Sequence, residues 1–138
     1  MKKSLLAIAF AMIALCSCDS GDSLADIFLS HPWKVSFFKE GTMITSPSQK
    51  AVYTMNFYDK TFALTTPSGA TLAGYWQADN KERTFRCSQV RVTGGTIAGD
   101  TIAMKAEYIL KNARYYEGDA NWLQIQVQKN TYMQFHNK

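Results

Sequence analysis

Three cysteines, two histidines and eleven acidic side chains are the groups of this 138-residue chain that could do covalent, proton-transfer or metal chemistry. Nucleophilic catalysis needs a Ser or Cys beside a base, and zinc needs several Cys or His ligands at short spacings. His31 and His136 stand near opposite ends of the chain, with no Gly-x-Ser-x-Gly elbow and no Cys-x-x-Cys pair between them. Gly94-Gly95-Thr96 and Gly99 lack both the Gly-Lys-Ser/Thr ending and the Gly-x-Gly-x-x-Gly spacing of a phosphate-cradling loop. Asp100 and Asp119 sit where a helix cap and a turn call for a carboxylate. His136, in the tail His136-Asn137-Lys138, reads as solvated surface. Catalysis would require His31 or Cys87 to meet a carboxylate in a pocket. The expectation is therefore a protein that is not an enzyme, with no catalytic residue, no metal ligand and no cofactor.

Cys18 is placed for a different kind of chemistry. Lys2 and Lys3 precede an uncharged apolar run of 11 residues, 5–15, which has the charged and hydrophobic regions of a secretory signal peptide. Crossing a bilayer takes about 20 apolar residues, so the run is too short for a stable membrane-spanning helix. Leu15-Cys16-Ser17-Cys18 resembles the lipobox of bacterial lipoproteins, with Leu three residues before the acylated Cys and small Ser17 directly before it. Cys16 fits poorly, because Leu15 would then occupy the slot that needs a small residue. Several acyl chains on Cys18 would anchor the protein stably where one chain is marginal. The expected organisation is a signal peptide over 1–17, a lipidated Cys and flexible tether over 18–30, and one β domain over 31–138. Asp19-Ser20-Gly21-Asp22-Ser23 supplies the small, polar, acidic character of such a tether. The expected location is the cell envelope of a Gram-negative bacterium, exported and lipid-anchored at the periplasmic face or the cell surface. Loss of Lys2 and Lys3 lowers the formal charge from +4 to +2, and no Lys/Arg run follows, so no nucleic-acid partner is expected.

Period-2 alternation dominates the remainder of the chain. Strands are predicted over 33–38, 53–58, 61–66, 71–78, 83–87, 113–117, 122–128 and 131–135, with 40–50 as a loop and Val90 and Val92 as a candidate continuation of the fifth strand. Residues 26–29 are predicted as a single helical turn, ended by His31-Pro32. Ile102, Ala106, Ile109 and Ala113 recur at helical spacing, which predicts one amphipathic helix over 101–113 behind an N-cap at Asp100. The fold class is mainly β (α+β): an antiparallel meander of about eight strands forming a curved sheet or small barrel. Cys87 shares a strand face with Phe85 and reads as a buried, inert thiol. Phe37, Tyr53, Phe57, Phe62, Phe85 and Phe135 fall on inner faces and read as core. Tyr58, Trp76, Tyr116 and Trp122 fall on or near polar faces, where large aromatics supply contact area at low entropic cost. They form the candidate recognition surface.

Trp33-Lys34-Val35, the Gly74-Tyr75 step and the run from Met104 to Phe135 together resemble META-domain and lipocalin-like small lipoproteins of Gram-negative envelopes. The resemblance covers residues 31–136. It implies a small barrel-like sheet closed by a helix, with no cofactor and no catalytic residues to carry over. Where META proteins have a Gly-Cys-Asn element, this chain has Thr71-Leu72-Ala73. The functional expectation is a non-catalytic binding or interaction module, held to the membrane through Cys18, with a protein, lipid or glycan partner. The alternative is a structural or stress-related accessory lipoprotein without a small-molecule ligand. An open apolar interior would favour a small ligand, and a filled interior with exposed aromatics would favour a partner protein.

Overall fold

Among the residues described by the computed structural model, 22–137, nine antiparallel strands make one curved sheet that closes into a ring. The predicted export segment, the lipobox and Cys18 lie outside the described residues. The strands are β1 (Trp33–Glu40), β2 (Met43–Thr45), β3 (Thr54–Phe57), β4 (Thr61–Thr65), β5 (Thr71–Asp79) and β6 (Thr84–Thr93). Helix α1 (Thr101–Asn112) follows, then β7 (Tyr115–Gly118), β8 (Trp122–Gln128) and β9 (Thr131–His136). Successive strands from β3 to β9 pair side by side, and β1 closes the ring by pairing with β3 on one edge and β9 on the other. No helix of the described residues is long and apolar enough to cross a membrane.

The ninth strand lies in the segment predicted as a loop. β2 folds back on β1 through Gly41, whose φ of +66° suits a tight turn that glycine makes without steric cost. The Gly41 N–H donates to the Asn130 carbonyl at 2.8 Å, which ties this turn to the β8–β9 turn.

A register shift in β1 corrects a core prediction. The β1–β9 ladder slips between Val35 and Phe37, so the alternation reverses at that point. Val35 and Phe38 point inward, 6% and 1% exposed, while Phe37 turns outward and packs edge-on against Tyr132, ring centroids 6.2 Å apart. Five of the six aromatics predicted as core are buried, and Phe37 is not.

Part of the segment assigned to the tether reaches the core, through Ile27 and Phe28. Ala25–Leu29 forms a π-helical turn, called the plug below, closed by a reciprocal cap. The Asp26 N–H donates to Ser23 Oγ at 3.2 Å, and the Ser23 N–H donates to Asp26 Oδ2 at 3.1 Å. Ile27 and Phe28 are fully buried, and the Ile27 carbonyl accepts the indole N–H of buried Trp33 at 2.9 Å. Phe28 meets four rings, with centroids at 5.0 Å for Phe57, 4.8 Å for Trp76, 5.6 Å for Phe85 and 5.1 Å for Tyr116. Asp22 latches the segment further, accepting the Ala120 N–H at 2.8 Å. The folded domain therefore begins well before residue 31.

Helix α1 forms where its apolar spacing and the Asp100 cap predicted it, and Asp100 Oδ1 accepts the Ala103 N–H at 3.0 Å. Its buried residues are Ala103, Ala106, Ile109 and Leu110, which face β6 and β8. Asp100 also accepts the Tyr53 hydroxyl at 2.8 and 2.9 Å on its two oxygens, which clamps the helix start to the approach to β3. Burial, and then this carboxylate, push the Tyr53 hydroxyl up to about 12 from its ordinary 10.0. The folded state holds that proton while the unfolded state releases it, so this stabilisation is full below pH 10 and fades as pH rises toward 12. The urea midpoint is expected to fall across that range, and Tyr53→Phe should flatten part of the fall. At neutral pH the same substitution is expected to cost about 1–3 kcal/mol, the loss of a part-buried bond to a charged acceptor. An unchanged alkaline profile in the variant would remove Tyr53 as its source.

Candidate functional site

Among the described residues, large side chains pack the interior of the ring. Trp33, Phe28, Phe38, Phe62, Phe85, Tyr116 and Phe135 are each no more than 1% exposed and fill it. Grooves open at its surface, one of them, of about 250 Å³, walled by Phe38, Met104, Tyr108 and Ile109 where α1 meets β1.

Of the four predicted surface aromatics, the structure brings two together and separates the others. Trp76 lies on the inward side of β5 at one end of the ring, close to Phe28, with ring centroids 6.1 Å from Phe85 and 5.3 Å from Phe57. It is half-buried rather than exposed, and its indole N–H donates to the Tyr58 carbonyl at 2.8 Å. Tyr58 stands at the β3–β4 turn with 55% of its surface exposed. Trp122 lies elsewhere, at the start of β8 opposite His136 of β9.

Tyr116 corrects the fourth prediction. It is fully buried, stacked edge-on against Phe28, and its hydroxyl donates to Asn80 Oδ1 at 2.7 Å. The Arg83 guanidinium lies 5.2 Å from its ring centroid. Its neighbour Tyr115 is the exposed member of the pair, at 43%. Pairing sets this choice: Tyr116 sits opposite the buried Ile125, and Tyr115 opposite the half-buried Gln126.

Beside Trp76 a rim groove of about 420 Å³ opens between Leu24, just ahead of the plug, the β3–β4 turn and β5. Leu24, Asp59, Lys60, Tyr75, Trp76 and Gln77 line it, together with Ala78. The backbone fixes its floor, since the Trp76 N–H donates to the Lys60 carbonyl at 3.0 Å and the Tyr58 N–H to the Thr61 carbonyl at 2.8 Å. Tyr75 points outward from β5 and is 44% exposed. A half-buried indole edge, an exposed phenol, one ammonium, one carboxylate and one amide give a surface suited to mixed apolar and polar contacts. Sequence reading missed Tyr75, Lys60 and Leu24. The alternation in β5 could have flagged Tyr75, because Leu72 and Gly74 fix the opposite face as inner; nothing local marks Leu24.

The residues weighed for catalysis do not converge. His31 Nε2 lies 2.7 Å from the Ala120 carbonyl, with its ring against Trp33. Cys87 pairs across the ladder with Trp76 and packs on the core, and burial pushes its thiol far above the ordinary range. His136 Nδ1 meets Ser36 Oγ. None of these three has a carboxylate as its hydrogen-bond partner.

Comparison with known proteins agrees with this β-rich architecture. The model of a family described as a domain of unknown function, DUF4847, matches residues 19–137. The chain is also similar to the 1.00 Å crystal structure of a DUF4847 family protein from Bacteroides vulgatus ATCC 8482. That similarity spans 84% of this chain and 98% of the other at 25% identity, with a TM-score of 0.61. No curated protein matches the chain.

Proposed function

The chain belongs to the DUF4847 family, and from that premise we propose that it is a lipid-anchored envelope lipoprotein acting as a non-catalytic binding module for a partner protein. The observation that carries this reading is the filled ring beside an open aromatic rim. Seven large side chains pack the interior, so the space open to a partner lies in grooves at its surface. Tyr58 and Tyr75 stay 55% and 44% exposed beside the Trp76 edge, the kind of surface that recognises another macromolecule.

The position of the groove fits the anchor. Leu24 lines it and lies six residues beyond Cys18, a stretch that spans at most about 20 Å when fully extended. A protein acylated at Cys18 would hold the Trp76 rim close to the membrane surface, where a neighbouring envelope protein would meet it. The META- and lipocalin-like kinship remains part of the proposal, supported by the ring of antiparallel strands. The accessory-lipoprotein alternative shares the filled ring but leaves the exposed tyrosines without a role.

Intact-mass measurement, under native and then denaturing conditions, on protein purified from its own membranes tests the proposal. The expected polypeptide starts at Cys18, carries acyl mass there, and retains no apolar small molecule. A chain keeping residues 1–17, or an unmodified Cys18, would overturn the anchor. A stoichiometric apolar molecule would overturn recognition at the outside.

A further inference from the structure

Another groove, of about 400 Å³, lies on the outer face of β1 beneath the segment that leads into β3. Its polar lining comes from Lys34, Ser36, Ser48, Gln49 and His136, and Pro47 and Val52 supply an apolar wall. We propose that this groove binds the oxyanion of a small molecule, a carboxylate or a phosphate.

The β1 register shift builds the site. Lys34 sits directly opposite His136 on β9, and Ser36 is the extra residue of the bulge, left without a ladder partner between Val35 and Phe37. Bulges of this kind re-aim a side chain and are enriched next to binding sites. Here the bulge brings Ser36 Oγ onto His136 Nδ1. The tautomer sets the direction of that bond; in the one where Nδ1 accepts from Ser36, the neutral imidazole carries its proton on Nε2, a donor for a ligand.

The charge pattern selects the ligand. Lys34 brings an ammonium, Gln49 an amide, and Ser48 a hydroxyl, while no Asp or Glu lines the groove. The carboxylate behind its wall, Asp100, is engaged by the Tyr53 hydroxyl and by the Ala103 N–H. A donor-rich, carboxylate-free cleft is complementary to an acceptor-only anion. Trp122, opposite His136 on β8 and 38% exposed, stands one strand further on, where the body of a ligand leaving the cleft could stack.

The test is an amide and imidazole NMR titration of the full chain at constant ionic strength, with sodium phosphate in one series and sodium acetate in the other. Saturable shifts are expected at Ser36, Ser48, Gln49 and His136, and the anion that saturates at the lower concentration identifies phosphate or carboxylate chemistry. Lys34→Gln should weaken binding about tenfold, the effect of losing one charge-assisted contact, while Lys34→Arg should retain it. Absence of saturable shifts with either anion would overturn the proposal. So would equal affinity in Lys34→Gln, whose fold is checked by unchanged β8 amide positions.

Discussion

Phe28→Ala is expected to lower the stability of the protein by about 3–5 kcal/mol, the range for emptying a buried phenylalanine site. The reason is geometric. Phe28 is fully buried and its ring lies within 5.6 Å of the centroids of Phe57, Trp76, Phe85 and Tyr116, so truncation leaves a void under four rings. Those partners belong to β3, β5, β6 and β7 and cannot collapse together without breaking ring closure. Domains of this size have total stabilities of roughly 5–15 kcal/mol, so the loss is a large fraction of the whole. Urea unfolding would register it as a lower midpoint at an unchanged slope. Leu29→Ala, one residue further on and 43% exposed, should stay within about 0.5 kcal/mol of the parent. Equal, small effects at both positions would mean that residues 25–29 are tether and not plug. The same cavity would loosen the ring of Trp76, so Phe28→Ala should also disturb the rim groove.

Gly118→Ala is expected to cost about 2–5 kcal/mol, combining overpacking with backbone strain. Gly118 ends β7 at φ +149°, in a region that L side chains rarely adopt. A Cβ there would lie 2.4 Å from the Trp122 carbonyl oxygen and 2.9 Å from Leu123 Cα, both backbone atoms that cannot swing aside. The β7–β8 turn would have to open, and with it the Asp119 carboxylate that accepts the Asn121 N–H at 2.7 Å and the Trp122 N–H at 3.2 Å. Gly41→Ala provides the comparison. At φ +66° it has nothing within 4 Å of an added Cβ, so only the conformational cost of about 1–2 kcal/mol applies. Thermal or urea unfolding that ranked Gly41→Ala as the more damaging of the two would contradict this packing.

These two positions also show what a sequence can and cannot reveal. Helix α1 was legible because its signal is local: an Asp100 cap and apolar residues at helical spacing. β8 was legible for the same reason, with Leu123 and Ile125 buried between glutamines. The plug was half-legible. Its helical turn could be read from residues 26–29, but the burial of Phe28 depends on strands that begin up to 87 residues later. The choice between Phe37 and Phe38 depended on a bulge set by β9, nearly a hundred residues away, so local alternation favoured the wrong ring. Tyr115 and Tyr116 posed the same problem, since adjacent aromatics fit either face until a partner strand decides. The candidate surface was therefore legible as a set of residue types and not as a place. Tyr58 and Trp76 meet at the rim because β3, β4 and β5 are consecutive hairpins, whereas Trp122 travels with β8 to a place opposite His136.

The proposed recognition at the rim groove beside Trp76, on the outside of a packed ring, is open to direct test. The most direct measurement is site-specific photo-crosslinking in living cells, with the reactive amino acid placed in the full chain at position 75, 58 or 43. Met43, 61% exposed on β2, neither lines the rim groove nor bonds Trp76 as Tyr58 does, and serves as the reference. Recognition at the rim predicts a discrete protein adduct from positions 75 and 58, absent from position 43 and reduced at position 75 by Trp76→Ala. An adduct from position 43 with none from 75 or 58, or equal crosslinking from all three, would contradict it.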